Sequence, residues 1–318
     1  MIKSKERALR TGRQWLWSVF RALFIITMAF ILIYPVLFMA SEAIKSVRDV
    51  YDPSVTWFAK NPQFGAFKYA FEVLKYPESL WNTVSMELVS AVLEVFSCAI
   101  AAYGMARFNS PLKKLQMFFL VLVIFVPDIV MIIPRIETYN HLDLFGILGL
   151  FNNFTGVDIR PNILDTPLVF WLPSMFGVGL KGGLFIFMYM QFFKGLPAEL
   201  EEAAWIDGAG PVQTFARIVL PSSGVIMLTV FIFSFIWHWN DSFLALMYTT
   251  DRSPLAVMLQ DVDQYMYMSS GDWPLAIRNN TGAVNMAACL LFIAPPMTLY
   301  LILQRKFIQS IDRVGIVG

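Results

Sequence analysis

Charge is the scarcest property of this 318-residue chain: 15% of its residues are Asp, Glu, Lys or Arg, against about 25% in an ordinary soluble domain. The shortfall excludes a broadly solvated surface. A net charge of +1 leaves no basic stripe on which nucleic-acid binding could rest. Cysteine is nearly absent; Cys98 and Cys289 both fall in apolar runs, without zinc spacing or a disulfide framework, and read as small hydrophobes. Two histidines and no clustered His, Asp or Cys leave a membrane-embedded metalloenzyme without ligands. No G-x-x-x-x-G-K-[ST] phosphate cradle occurs, and no nucleophile–base pair can be picked out.

What the chain has is apolar length, with 57% hydrophobic residues and a mean hydropathy of +0.60. A membrane-crossing helix needs about 20 mainly apolar residues. Six segments qualify: 19–40, 81–105, 115–134, 168–193, 222–247 and 284–303. Pro173 and Lys181 interrupt the fourth. The first lacks a small-residue cleavage site and reads as a retained anchor. The expected fold class is therefore all-α, a polytopic membrane bundle of six transmembrane helices.

Lysine and arginine orient such a bundle. Lys3, Lys5, Arg7, Arg10 and Arg13, then Arg107, Lys113 and Lys114, then Arg305, Lys306 and Arg313 all fall on one side when six spans are counted. That side is expected to be cytoplasmic, with both termini on it. The connections near 135–167 and 248–283 hold two basic residues each and fall outside. The expected division is a cytoplasmic tail at 1–18, a first span at 19–40, an external loop at 41–80, a core at 81–304 and a cytoplasmic tail at 305–318. The external loop, rich in aromatics and proline, either meets an extracytoplasmic protein or covers helix ends.

Between the fourth and fifth spans, at 195–221, lies a polar island containing "EEAAWIDGAGPVQTFARIVLP". Pro197 suits a helix start, and Glu199, Glu201 and Glu202 suit the positive end of the helix dipole. Leu196, Leu200 and Ala203 recur at helical spacing and are expected to share a face. Gly208 and Gly210 stop that helix, Pro211 starts another carrying Val212, Phe215 and Val219, and Pro221 closes it. One reading is an amphipathic helix on the lipid surface. The charge opposes it: Glu199, Glu201, Glu202 and Asp207 outnumber Lys194 and Arg217, whereas the cytoplasmic leaflet attracts basic segments. An acidic, glycine-hinged, small-residue bracket suits a protein partner with a basic cleft.

The stretch EAAWIDGAGPVQTFARIVLP, from Glu202 to Pro221, resembles the EAA loop of ABC importer permeases: E-A-A-x-x-D-G-A, an aromatic, and a closing L-P. "FFKGLPAELEEAA", "NPQFGAFKYAFEVL" before "LWNTVSMEL", "WNDSFLAL" and "LILQRKFIQSIDRVGIVG" extend the likeness over nearly the whole chain. They point to the carbohydrate-uptake branch and to the smaller, six-span subunit of maltose-type importers. The resemblance implies a type I ABC importer permease fold, half of a translocation pore in the prokaryotic cytoplasmic membrane. It implies a second, different permease subunit, two cytoplasmic ATPase subunits and an extracytoplasmic solute-binding protein as partners. No cofactor would be bound by this chain, ATP and Mg belonging to the ATPase. The loop would be the coupling helix, docking through Glu201, Glu202, Ala203, Ala204, Asp207, Gly208, Ala209 and Phe215. Phe215 would either plug the ATPase cleft or pack on this subunit's own helices. The C-terminal tail lacks the lysine that usually precedes the last glycine, so a tail contact with the ATPase has no support here.

Candidates for the substrate path are Trp237, Trp239, Asn240 and Asp241, an aromatic and polar cluster suited to sugar faces and hydroxyls. The alternative is that the tryptophans belong to an interfacial aromatic belt. His238 reads as structural and His141 as solvated. Glu87 and Glu94 lie on one helical face. Acids within a membrane helix usually face the bundle interior, and Glu94 would line the path, pair with Lys181, or act as polar glue. Pro295–Pro296 is expected to kink the sixth span. Competing functions are a proton-coupled secondary transporter using Glu94, disfavoured by the lack of a two-half repeat, and the same ABC machinery carrying glycerol phosphate, a polyol or a peptide.

Overall fold

The computed structural model describes the backbone of residues 2–143, 146–269, 271 and 273–315, and the side chains of 14–143, 146–268, 271 and 273–306. The side chains of Lys3, Lys5, Arg7, Arg10, Arg13 and Arg313, and the final residues 316–318, lie outside those described. The described residues form helices and connections, with no strand among them. The chain divides into two compact units, residues 1–73 with 262–291 and residues 74–261 with 292–318.

In the first unit, the helix Ile2–Ala43 contains a 30-residue apolar stretch, Gln14–Ala43, none of whose most apolar window is buried. A helix apolar all round is suited to lipid or to a partner helix. Its end is tied into an ordered loop: the Tyr34 ring meets Trp57 edge-on at 5.2 Å, and Lys45 pairs with Glu42 at 2.5 Å. Ser46 and Asp49 then form a capping box that starts Val47–Tyr51. Lys60, hydrogen-bonded to Asp52 at 2.7 Å, holds that carboxyl well below the usual carboxylate range. Asn280 donates to the Lys45 carbonyl at 2.8 Å, and Tyr69 packs on Trp273 at 4.9 Å. The 41–80 segment is thus built structure rather than slack connection.

The second unit is organised around the 32-residue helix Tyr76–Arg107. A π turn at Val84–Leu88 inserts one residue into its ladder, and the freed Ser85 carbonyl accepts from Trp171 Nε1 at 3.0 Å. Its small residues Cys98, Ala99 and Ala102 are fully buried against Phe185, Tyr189 and Phe193 of Gly182–Gly195. Small side chains let helix backbones approach closely, which is how helices associate where lipid removes the hydrophobic drive.

Among the described residues, three helices are long and apolar enough to cross a membrane: Gln14–Ala43, Tyr76–Arg107 and Thr281–Lys306. Two bent pairs raise the number to five: Lys113–Phe125 with Asp128–Asn140, bent by 96°, and Pro211–Ser222 with Gly224–Trp239, bent by 77°. The expected fourth span is not one helix. It divides into Leu168–Met175 and Gly182–Gly195, each short of the ~20 residues a crossing needs. Pro173 lacks the amide that would carry the ladder forward, and Gly177 and Lys181 both have left-handed backbone, with φ of 70° and 64°. In contrast, Thr281–Gly315 runs as one helix through Pro295 and Pro296.

Candidate functional site

The polar island between 195 and 221 is an elbow of two short helices. Glu199–Ile206 carries three glutamates in its first turn, where the helix dipole favours them. It closes in a Schellman motif: the Ala209 amide donates to the Ala204 carbonyl at 2.9 Å and the Gly208 amide to that of Trp205 at 3.0 Å. Gly208 sits at φ 85°, a conformation that only glycine adopts freely. Extended Gly210 and Pro211 then start Pro211–Thr214. A Gly208→Val chain should lose about 1–2 kcal/mol of elbow stability, measured as faster amide exchange over 199–214 with the bundle unchanged.

The elbow is clamped to the end of the Tyr76–Arg107 helix. Arg107 Nε lies 2.6 Å from Glu201 Oε1, Tyr103 donates its hydroxyl to Glu201 Oε2 at 3.1 Å, and Arg107 Nη2 donates to the Leu196 carbonyl at 2.9 Å. Phe215 is half-buried and packs on the Tyr103 ring at 4.9 Å. The inner face of the first elbow helix is carried by Glu201 and Ala204. Glu201 and Ala204 are buried and therefore closed to a docking partner, whereas Leu200 is 46% exposed and Ala203 is also exposed. Outward lie Glu202, Ala203, Asp207 and Gly208, with Ala209 half-buried. Ile206 and Val212 are 87% and 82% exposed.

A second polar group lies inside the bundle. Glu94, fully buried, accepts from the Ser234 hydroxyl at 2.5 Å and stands 3.9 Å from His238 Nδ1. Its Oε1 has no hydrogen-bond partner among the described residues, and neither oxygen of Glu87, also buried, has one. Gly179 makes the room: a Cβ there would collide with Glu94 Oε1 and with Ser174 Oγ. Of the three readings of Glu94, the pair with Lys181 is not formed: Lys181 reaches Asp128 instead, at 3.3 Å.

A family model described as the binding-protein-dependent transport system inner membrane component matches residues 97–313, more than half of the chain and including the whole elbow. The chain belongs to this family. Among curated relatives, the trehalose transport permease SugB of Mycobacterium tuberculosis is 27% identical over 89% of this chain and 92% of its own length. The sn-glycerol-3-phosphate transport permease UgpE of Pectobacterium atrosepticum is 29% identical over 73% of this chain and 71% of its own. Among solved structures, a bacterial ABC transporter that imports the acidic polysaccharide alginate aligns with a TM-score of 0.66 over 92% of this chain and 96% of that one, at 18% identity. A likeness at that identity is one of fold.

As an inner-membrane transport component, the permease does not gather its expected substrate-path residues in one place. Trp239 is buried and donates through Nε1 to the Phe292 carbonyl at 3.2 Å, so it is packing. Asn240 is exposed and caps its own helix through the Ile236 carbonyl at 2.8 Å. Asp241 accepts from the Leu244 amide at 3.1 Å, starting the next short helix. Trp237 lines a cavity of about 530 Å³ together with Asp128, Arg135 and Lys181, whereas Asp241 lines a separate, much smaller one with Arg135 and His238. Sequence reading named Lys181 but missed its grouping with Asp128 and Arg135. Its signal was an acid beside a proline inside an apolar run, "VPDIVMIIPR".

Proposed function

We propose that this permease is one of two membrane subunits of an ATP-driven importer for a carbohydrate, and that its elbow is the seat of a cytoplasmic ATPase. The observation that carries the reading is the elbow's two-sidedness: an inner face locked by Arg107, Tyr103 and Glu201, and an outer face of Glu202, Asp207, Ile206 and Val212 with nothing of this chain's described residues upon it. Exposed isoleucine and valine beside carboxylates fit a cleft with an apolar floor and a basic rim. ATP-driven closure of the ATPase pair would move the elbow, and the helices clamped to it would rock as a body from inward-open to outward-open.

In this reading the two bent pairs and the divided 168–193 segment each make one crossing, giving six, with both termini cytoplasmic by the lysine and arginine count. A second permease completes the pore, and a solute-binding protein delivers cargo on the outer side, where exposed Tyr51, Phe58 and Phe64 offer it a surface. Similarity to a trehalose permease supports a sugar. A glycerol phosphate is the second reading, favoured by the similarity to UgpE.

Two measurements test it. A cysteine at Val212 should react with an impermeant thiol reagent only from the cytoplasmic side, and ATPase subunits should protect it; labelling from outside intact cells would refute both orientation and seat. Glu202→Lys should leave the membrane content unchanged and cut ATP-driven uptake at least tenfold.

A further inference from the structure

We propose that the cavity at the break between Lys113–Phe125 and Asp128–Asn140 is a sugar-ring subsite contributed by this chain itself. The inference rests on the carbohydrate reading above and adds where, and by what chemistry, this subunit touches its solute.

The cavity has a volume of about 530 Å³, within the ~300–1,000 Å³ of small-molecule sites. It forms where two apolar segments lose their helical ladder, at 126–128 and at 176–181. Irregular backbone at membrane depth is tolerated only where it is buried in protein or lines a cavity. Ionisable side chains in such a segment mark a wet path for the same reason. Three are here. Lys181 Nζ lies 3.3 Å from Asp128 Oδ2, and Arg135 Nη1 lies 3.6 Å from Asp128 Oδ1.

The wall also carries Trp237, 36% exposed. Its ring packs against Phe185, 5.7 Å away, and Phe233, 5.8 Å away, both tilted to it. A fixed indole face of this kind takes a flat, partly apolar surface, such as the C–H face of a pyranose.

Charge balance selects among solutes. An anionic solute needs an uncommitted cation, whereas both cations here share Asp128. Lys181 and Arg135 converging on the one lining carboxylate leave spare N–H donors beside carboxylate lone pairs. Hydroxyl groups, each donor and acceptor at once, match that set; an apolar solute would strand it. The class is therefore an uncharged, polyhydroxylated ring.

The test uses the whole importer in proteoliposomes, with Cys289→Ser to silence the half-buried native thiol and Val178→Cys as a reporter on the cavity wall. Trehalose or maltotriose at millimolar concentration should slow methanethiosulfonate labelling of that cysteine at least threefold, and glycerol 3-phosphate should not. Trp237→Ala or Lys181→Met should abolish the protection, and Trp237→Phe, which keeps an aromatic face and guards against a folding defect, should retain it. Labelling that neither sugar slows overturns the subsite. Protection by glycerol 3-phosphate alone overturns the uncharged-ring assignment. ATP-driven uptake is measured on the same vesicles: protection without uptake of either sugar would sustain the subsite while refuting the import reading, so the two fail separately.

Discussion

Arg107→Ala should cost the permease about 3–5 kcal/mol at the seat of its elbow and at least tenfold in ATP-driven uptake. The figure follows from burial. An exposed ion pair is worth about 0–1 kcal/mol, but Glu201 is 3% exposed, and removing one partner of a buried pair strands the other, a loss of ~3–5 kcal/mol. Arg107 also satisfies the Leu196 carbonyl, so its loss frees the hinge that joins Gly182–Gly195 to the elbow. Tyr103 alone would remain on Glu201. A double change, Arg107→Leu with Glu201→Leu, separates stability from coupling. Apolar replacement of a buried pair is often neutral or stabilising, so the double variant should unfold near the wild-type temperature. If the ion pair serves only to hold the elbow, the double variant transports. If Arg107→Ala itself unfolds and transports like the wild type, the clamp has no mechanical role.

The elbow was legible in sequence because its signals are local. Gly208, Gly210 and Pro211 specify a stop and a restart through backbone geometry alone, and the Schellman bonds at Ala204 and Trp205 follow from it. Which face turned inward was not legible. Leu200 and Ala203 have the apolar character of an inner face, yet Glu201 and Ala204 occupy it, because Arg107, remote in the chain, supplies a counter-charge and Tyr103 a donor. The same limit explains Glu94. Its burial could be expected from an acid in an apolar helix, but the choice of Ser234 over Lys181 depends on where the broken fourth segment places Lys181, at a left-handed residue beside Asp128. The breaks themselves were only half visible. Pro173 announced one; the 96° bend after Phe125 sits in a run whose composition reads as a single span, with Pro127 its one local sign.

Gly179→Ala should destabilise the bundle by about 2–4 kcal/mol and reduce uptake strongly, although it adds a single methyl group. That carbon would overlap Glu94 Oε1 and come within 2.6 Å of Ser174 Oγ. Overpacking of a tight interior costs ~1–3 kcal/mol. Moving Glu94 Oε1 turns the whole carboxylate and so loosens the bond that Ser234 makes to Oε2, a further ~1 kcal/mol. Neither neighbour has free space, since Glu94, Ser174 and Ser234 are all fully buried. Glu94→Ala in the same chain removes the clash, so the two changes should couple by about 1–3 kcal/mol in a double-mutant cycle, read from thermal unfolding in detergent. Additive losses would mean that the carboxylate and the glycine do not meet. The cycle also decides what Glu94 is for. If the double variant regains both stability and uptake, the transport cycle runs without the carboxylate. If stability returns while uptake stays low, the buried carboxylate takes part in the transport cycle itself, and its bond to Ser234 is one the rocking helices must break and remake.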